Sequence, residues 1–118
     1  LRSGNSERVV HHDYKTGRVT LETHDDFGRQ YYNSCDSVID MAMSQWQTIH
    51  PDDPLSAEST LEFDLTMGRE GWWTGLKGTY HMRCDHGHFY VSATWKAFHE
   101  GELIFSKAFD ETIKRTGV

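Results

Sequence analysis

Apolar and polar residues alternate with a period of two along the second half of the chain. The pattern is clearest where Leu61, Phe63, Leu65 and Met67 fall on one parity and Thr60, Glu62, Asp64 and Thr66 on the other. Successive side chains on an extended backbone point to opposite faces, so this segment predicts a half-buried strand. The pattern returns with Trp72, Leu76, Tyr80 and Met82, and again with Phe89, Val91, Ala93, Trp95 and Ala97. A fourth strand is predicted over residues 103–113, with Leu103, Phe105, Phe109 and Ile113 in one parity and Lys107 interrupting it.

Three short polar stretches separate these segments: Gly68-Arg69-Glu70-Gly71, Asp85-His86-Gly87 and Glu100-Gly101-Glu102. Hairpin loops of this length call for a positive φ, which glycine adopts without steric cost. Four strands joined in this way make a meander. At about 11–13 residues each and ~3.3 Å per residue they span on the order of 40 Å, longer than ordinary strands. Strands that long coil, so the expected fold is all-β: a single antiparallel meander, strongly curled into a half-barrel or barrel. Gly75 and Gly78, inside the second of these strands, read as the place where the sheet bends.

Upstream, Arg8–Tyr14 and Arg18–His24 flank Lys15-Thr16-Gly17 as a small hairpin, and Asp25-Asp26-Phe27-Gly28 predicts another turn leading into Gln30–Asn33. The segment Ser37–Ile49 carries both spacings. Val38, Ile39, Ala42, Met43 and Trp46 suit a helix, whereas Ile39, Met41 and Met43 suit a strand, and the neighbouring strands favour the second. His50-Pro51-Asp52-Asp53-Pro54 ends it, because proline donates no backbone N–H and restricts the residue before it. No repeat, low-complexity tract or linker divides residues 1–118, which read as one domain. The chain opens at Leu1 without an initiator Met, and is expected to be a fragment of a longer protein.

Only 36% of the 118 residues are apolar while 13% are aromatic, so large rings must supply much of the core volume. Twelve basic against 18 acidic residues give a net charge of −6, with the arginines scattered singly. That balance argues against nucleic acid and anionic membrane surfaces, which are bound through concentrated positive charge. No apolar run reaches the ~20 residues of a spanning helix and no charged-then-apolar leader is present, so a cytoplasmic location is expected. Cys35 and Cys84 match neither a disulfide framework nor a Cys-x-x-Cys pair and are expected to be free thiols.

Ligand-type residues are densest at His81, Cys84, Asp85, His86 and His88, where imidazole, thiolate and carboxylate could in principle hold zinc or copper. On a regular strand His81 and Cys84 face opposite ways, leaving His86 and His88 as the only easy pair. A solvated polar turn is the simpler reading, and no metal or other cofactor is implied. There is no Gly-x-Ser-x-Gly elbow and no phosphate-cradling glycine loop. Asp25-Asp26 and Asp52-Asp53 sit beside turns, where aspartate bonds nearby backbone N–H groups. No catalytic residue is therefore assigned. Trp72-Trp73 places adjacent indoles on opposite faces, so one is expected to be covered by a neighbouring domain or subunit. The alternative is a small-ligand-binding β-barrel with a pocket lined by Trp46, Trp95, Phe63 and Tyr80.

The run His50-Pro51-Asp52-Asp53-Pro54-Leu55-Ser56-Ala57, the Gly68-Arg69-Glu70-Gly71-Trp72 turn and the stretch from Phe89 to Ser106-Lys107-Ala108-Phe109-Asp110 form an ordered set. Together with Arg8-Val9-Val10, Asp13 and Thr16-Gly17-Arg18-Val19, it resembles the extreme C-terminal extension of bacterial CocE/NonD-type hydrolases, the X-Pro dipeptidyl-peptidase/cocaine-esterase family of serine hydrolases. The likeness covers nearly the whole chain. In that family the Ser-His-Asp triad lies in an α/β-hydrolase domain followed by a β-sandwich jelly roll, and the extension comes after both. The resemblance thus implies a non-catalytic accessory domain that packs on those two domains or on a second subunit. It places no catalytic position on this sequence.

Overall fold

The computed structural model describes residues 2–116, which form one sheet of seven antiparallel strands. In chain order they are β1 (Asn5–His12), β2 (Val19–Tyr32), β3 (Ser37–His50), β4 (Asp53–Arg69), β5 (Trp72–Cys84), β6 (His88–His99) and β7 (Glu102–Lys114). Spatial order equals sequence order, so the sheet is a plain meander in which every connection is a hairpin. The strand expected between Ser37 and Ile49 is β3, and the Pro51-Asp52 break is the tight turn before β4.

The sheet stays open. β1 and β7 are unpaired edges, so the expectation of a strongly curled sheet closing towards a barrel does not hold. The strands are as long as expected, and the open sheet they form has Cα extents of 52 × 29 × 26 Å. There is no β-bulge at Gly75 or Gly78, where the β4–β5 register runs unbroken from Glu58↔Arg83 to Arg69↔Trp72. Gly78 instead makes room for a neighbour, because a β-carbon there would overlap the ring of Phe63 directly across the ladder.

The expected turn at Asp25–Gly28 is a β-bulge inside the continuous strand β2. Between Asp26↔Ala42 and Arg29↔Asp40 the strand carries one extra residue. Gly28 adopts φ +77° and its N–H is accepted by Asp26 Oδ1 at 2.9 Å, the local arrangement a turn would also use. A second bulge, between Ala97 and Phe98, pairs Phe105 with Ala97 but Leu103 with Phe98. Leu103 thereby leaves the phase of Phe105, Phe109 and Ile113.

The hairpin loops use two devices. Glu100 (φ +51°) and Gly101 (φ +79°) form a two-residue turn with both φ values positive, the type whose twist matches the flanking strands. Glu100 is held there from both sides, its N–H donating to the Trp73 carbonyl and its carboxylate accepting the Trp73 N–H, each at 2.9 Å. The β5–β6 loop uses an aspartate instead. Asp85 Oδ1 accepts the N–H groups of Gly87 and His88 at 2.8 Å each.

Among the described residues no apolar side chain is buried, because a single layer has no opposite wall. Residues directly opposite in a ladder share a face, so the register sorts every strand side chain. One face is apolar at its centre, with Met41 and Met43 on β3, Leu61, Phe63 and Leu65 on β4, and Leu76 and Tyr80 on β5. The other carries Trp46, Glu22, His24, His81, Glu58 and Lys77.

Candidate functional sites on the two faces

The centre of the apolar face is an aromatic cluster built by three neighbouring strands. Phe63 on β4 lies over Gly78 of β5, and Trp95 on β6 pairs with Gly78 from the other side. The glycine has no side chain, so the two flanking rings meet across it: Phe63 and Trp95 edge-on at 5.0 Å, Tyr80 and Trp95 perpendicular at 5.4 Å. These are the offset and edge-to-face arrangements aromatic quadrupoles favour. Further along this face, Val19, Leu21, Ile49, Ala57, Met82 and Phe89 line an apolar groove of about 470 Å³ with Cys84 at its end. Cys35 and Cys84 are both free, Cys35 exposed and Cys84 half-buried.

The four-residue pocket expected from the sequence is not assembled. Phe63, Tyr80 and Trp95 are together, but Trp46 pairs with Thr60 and therefore points from the opposite face. Trp72 and Trp73 do lie on opposite faces: Trp72 pairs with Arg69 at the open end of the apolar face and is 47% exposed, whereas Trp73 pairs with Gly68 on the polar side and is half-buried.

The polar face holds the constellation that reading the sequence missed. The β2–β3 register sets Glu22 against Trp46 and His24 against Ser44. Trp46 Nε1 donates to Glu22 Oε1 at 2.7 Å, His11 Nε2 lies 3.2 Å from Glu22 Oε2, and the Trp46 and His24 rings meet edge-on at 5.7 Å. The indole and His11 hydrogen bonds hold the Glu22 carboxyl below its ordinary range. His24 Nδ1 is 2.7 Å from Ser44 Oγ, and its Nε2 is 3.6 Å from Glu22 Oε1.

Serine, histidine and glutamate in that order suggest an activated nucleophile, but two requirements are missing. The carboxylate is committed to the indole and lies beyond hydrogen-bond distance of the imidazole, so it does not orient the base. Ser44 also sits in the middle of β3, paired on both sides with β2 and β4, where ladder N–H groups are occupied and none points outward as an oxyanion donor. The arrangement is a cross-strand polar network. A separate polar group on the same face joins His81, whose Nε2 is 2.8 Å from Glu58 Oε1, and Arg18 at 3.8 Å from Glu58 Oε2.

The two histidines considered for a metal flank the β5–β6 turn. His88 Nδ1 is 3.9 Å from Asp85 Oδ1, and His86 is exposed in the loop. Asp85 is already engaged by the Tyr90 hydroxyl at 2.6 Å and by the Gly87 and His88 N–H groups, which hold its carboxyl down at about 2. Among the described residues no group of three or more His, Cys, Asp or Glu side chains could hold a metal ion. Nor is any helix among them long and apolar enough to cross a membrane. No family model, curated protein or solved structure matches the chain.

Proposed function

We propose that this chain is a non-catalytic accessory β domain of a serine hydrolase of the acyl esterase or X-Pro dipeptidyl-peptidase class, and that it works by packing its apolar face against other protein. The observation that carries the packing role is a seven-stranded sheet with an apolar, aromatic-centred face and, among the described residues, no second layer upon it. An antiparallel sheet buries one face against a core, and an exposed apolar patch of this extent marks a protein contact. The link to serine hydrolases rests on the ordered residue pattern His50–Ala57, Gly68–Trp72 and Phe89–Asp110. In this reading the partners are the α/β-hydrolase and jelly-roll domains of a parent chain or a second subunit.

Hydrolysis of p-nitrophenyl esters by the isolated chain tests the non-catalytic part. The expected rate is the buffer background, unchanged by Ser44→Ala. Turnover abolished by Ser44→Ala would overturn the reading, because His24–Ser44 would then be a working pair. A ligand-binding role has one observation in its favour, the apolar groove beside Met82 and Phe89. Quenching of the indoles by a fatty acid, lost on Met82→Glu, would favour it.

A further inference from the structure

We infer that the apolar face is covered by the same face of a second copy of this chain, the two sheets stacking into a β-sandwich about a two-fold axis running along β4. The inference rests on the reading of that face as a packing surface and names its occupant.

Strand order supplies the symmetry. β4 is the middle strand, with three strands on either side. A two-fold axis along β4, lying between the sheets, sets each strand over its counterpart from the other end of the meander: β4 over β4, β3 over β5, β2 over β6 and β1 over β7. Those counterparts run in the same direction, because strand directions alternate. The stack is therefore the aligned packing that two twisted sheets adopt, about 10 Å apart and rotated by about 30°.

The placement of charge fits this occupant. From β3 to β6 the apolar face carries one charged side chain, Arg69 at the end of β4. The remaining charges on that face lie on the outer strands, Arg8 and Asp25 on one flank and Lys107, Glu111 and, beyond the bulge, Glu102 on the other. The axis brings each flank over the opposite flank of the partner, so cations and anions of both copies meet at the rim, while Phe63 on β4 faces its own counterpart across the axis and Tyr80 and Trp95 lie over β3 and β2 of the other copy. An apolar centre within a polar rim is the anatomy of a stable interface.

The area suffices. β3 to β6 are 12 to 17 residues long. With neighbouring strands ~4.8 Å apart the sheet presents on the order of 1,000 Å² per copy, or ~2,000 Å² in total, within the range of obligate homodimers.

Sedimentation equilibrium at tens of micromolar, joined to isotope-filtered NMR on a mixture of labelled and unlabelled chains, tests the inference. The expected result is twice the 13.7 kDa chain mass, with nuclear Overhauser contacts between copies from the Phe63, Tyr80 and Trp95 rings. Leu65→Glu sets two carboxylates near the axis and should weaken association at least 100-fold. A folded monomer at 13.7 kDa overturns the inference. If that monomer binds a hydrophobic dye and Leu65→Glu abolishes the binding, the packing-surface reading survives; a monomer that binds no dye removes both. A dimer indifferent to Leu65→Glu, with its contacts on the β7 backbone, overturns the inference in favour of edge pairing.

Discussion

The indole Nε1 of Trp46 donates to Glu22 Oε1 across 2.7 Å, joining the one tryptophan on the polar face of β3 to the strand beside it. Trp46→Phe keeps a six-membered ring near His24 and removes the N–H donor along with the rest of the indole. The Glu22 carboxyl should then titrate closer to the ordinary glutamate range, since the indole is the first cause of its depression. A carboxyl depressed in the folded state stabilises it above the unfolded pKa and loses that contribution as pH falls through the folded one. The variant's deficit in urea midpoint should therefore be present near neutrality and shrink in acid, as followed by far-UV circular dichroism.

The Asp85 turn makes a sharper pH prediction. Its carboxyl titrates at about 2 instead of 3.8, first because of the Tyr90 hydroxyl and then because of the Gly87 and His88 N–H groups. The stabilisation is complete above 3.8 and disappears as pH falls towards 2. Tyr90→Phe removes the leading cause, so the Asp85 carboxyl carbon followed by NMR should titrate nearer 3.8. A midpoint left at about 2 would show that the two backbone donors suffice.

Gly78→Ala tests the aromatic cluster. A β-carbon would overlap the Phe63 ring, whose Cδ1 and Cζ come within 2.9 and 3.0 Å, and that ring is backed by Trp95 at 5.0 Å. Forcing an extra methyl group into such a site typically costs ~1–3 kcal/mol. Denaturant unfolding should show a loss of that size together with an altered near-UV spectrum. Gly75→Ala, whose β-carbon meets nothing closer than Phe98 Cβ at 3.6 Å, should cost much less.

Gly28→Ala tests the bulge. The residue is left-handed at φ +77° and a β-carbon would run into the Arg2 carbonyl. The conformational penalty alone is about 1–2 kcal/mol. The variant should also release the Arg2↔Arg29 bridge, seen as faster amide exchange at both residues. Protection unchanged at Arg2 and Arg29 would contradict this account.

What the sequence made legible follows from what alternation reports. β4 from Glu58 onward, β5 and β6 announced both their existence and their faces, because each pairs with β-neighbours on both sides and holds one parity along those residues. Phase errors arose where a bulge adds a residue. Asp25-Asp26-Phe27-Gly28 carries turn chemistry, and a glycine bulge uses that same chemistry without turning the chain. Leu103 left the parity of Phe105 for the same reason. Pairings such as His24 with Ser44 and Glu22 with Trp46 depend on register between strands, which no single strand encodes. Residue type alone sets Trp46 beside Phe63, Tyr80 and Trp95, and only the Trp46↔Thr60 pairing puts it on the other face. Closure into a barrel required the two edges to meet, and strand length alone does not decide that.

Among the described residues the backbone of each strand packs only on its neighbours in sequence, and side chains reach one strand further, as Phe63 does to Trp95 across Gly78. Cohesion therefore accumulates by nearest-neighbour steps, as it does along a repeat protein, with no contact clasping one end of the sheet to the other. Amide protection should be highest on β3 to β5 and fade outward to β1 and β7. Trimming the chain from either edge should shed one hairpin arm at a time and leave the middle of the sheet standing.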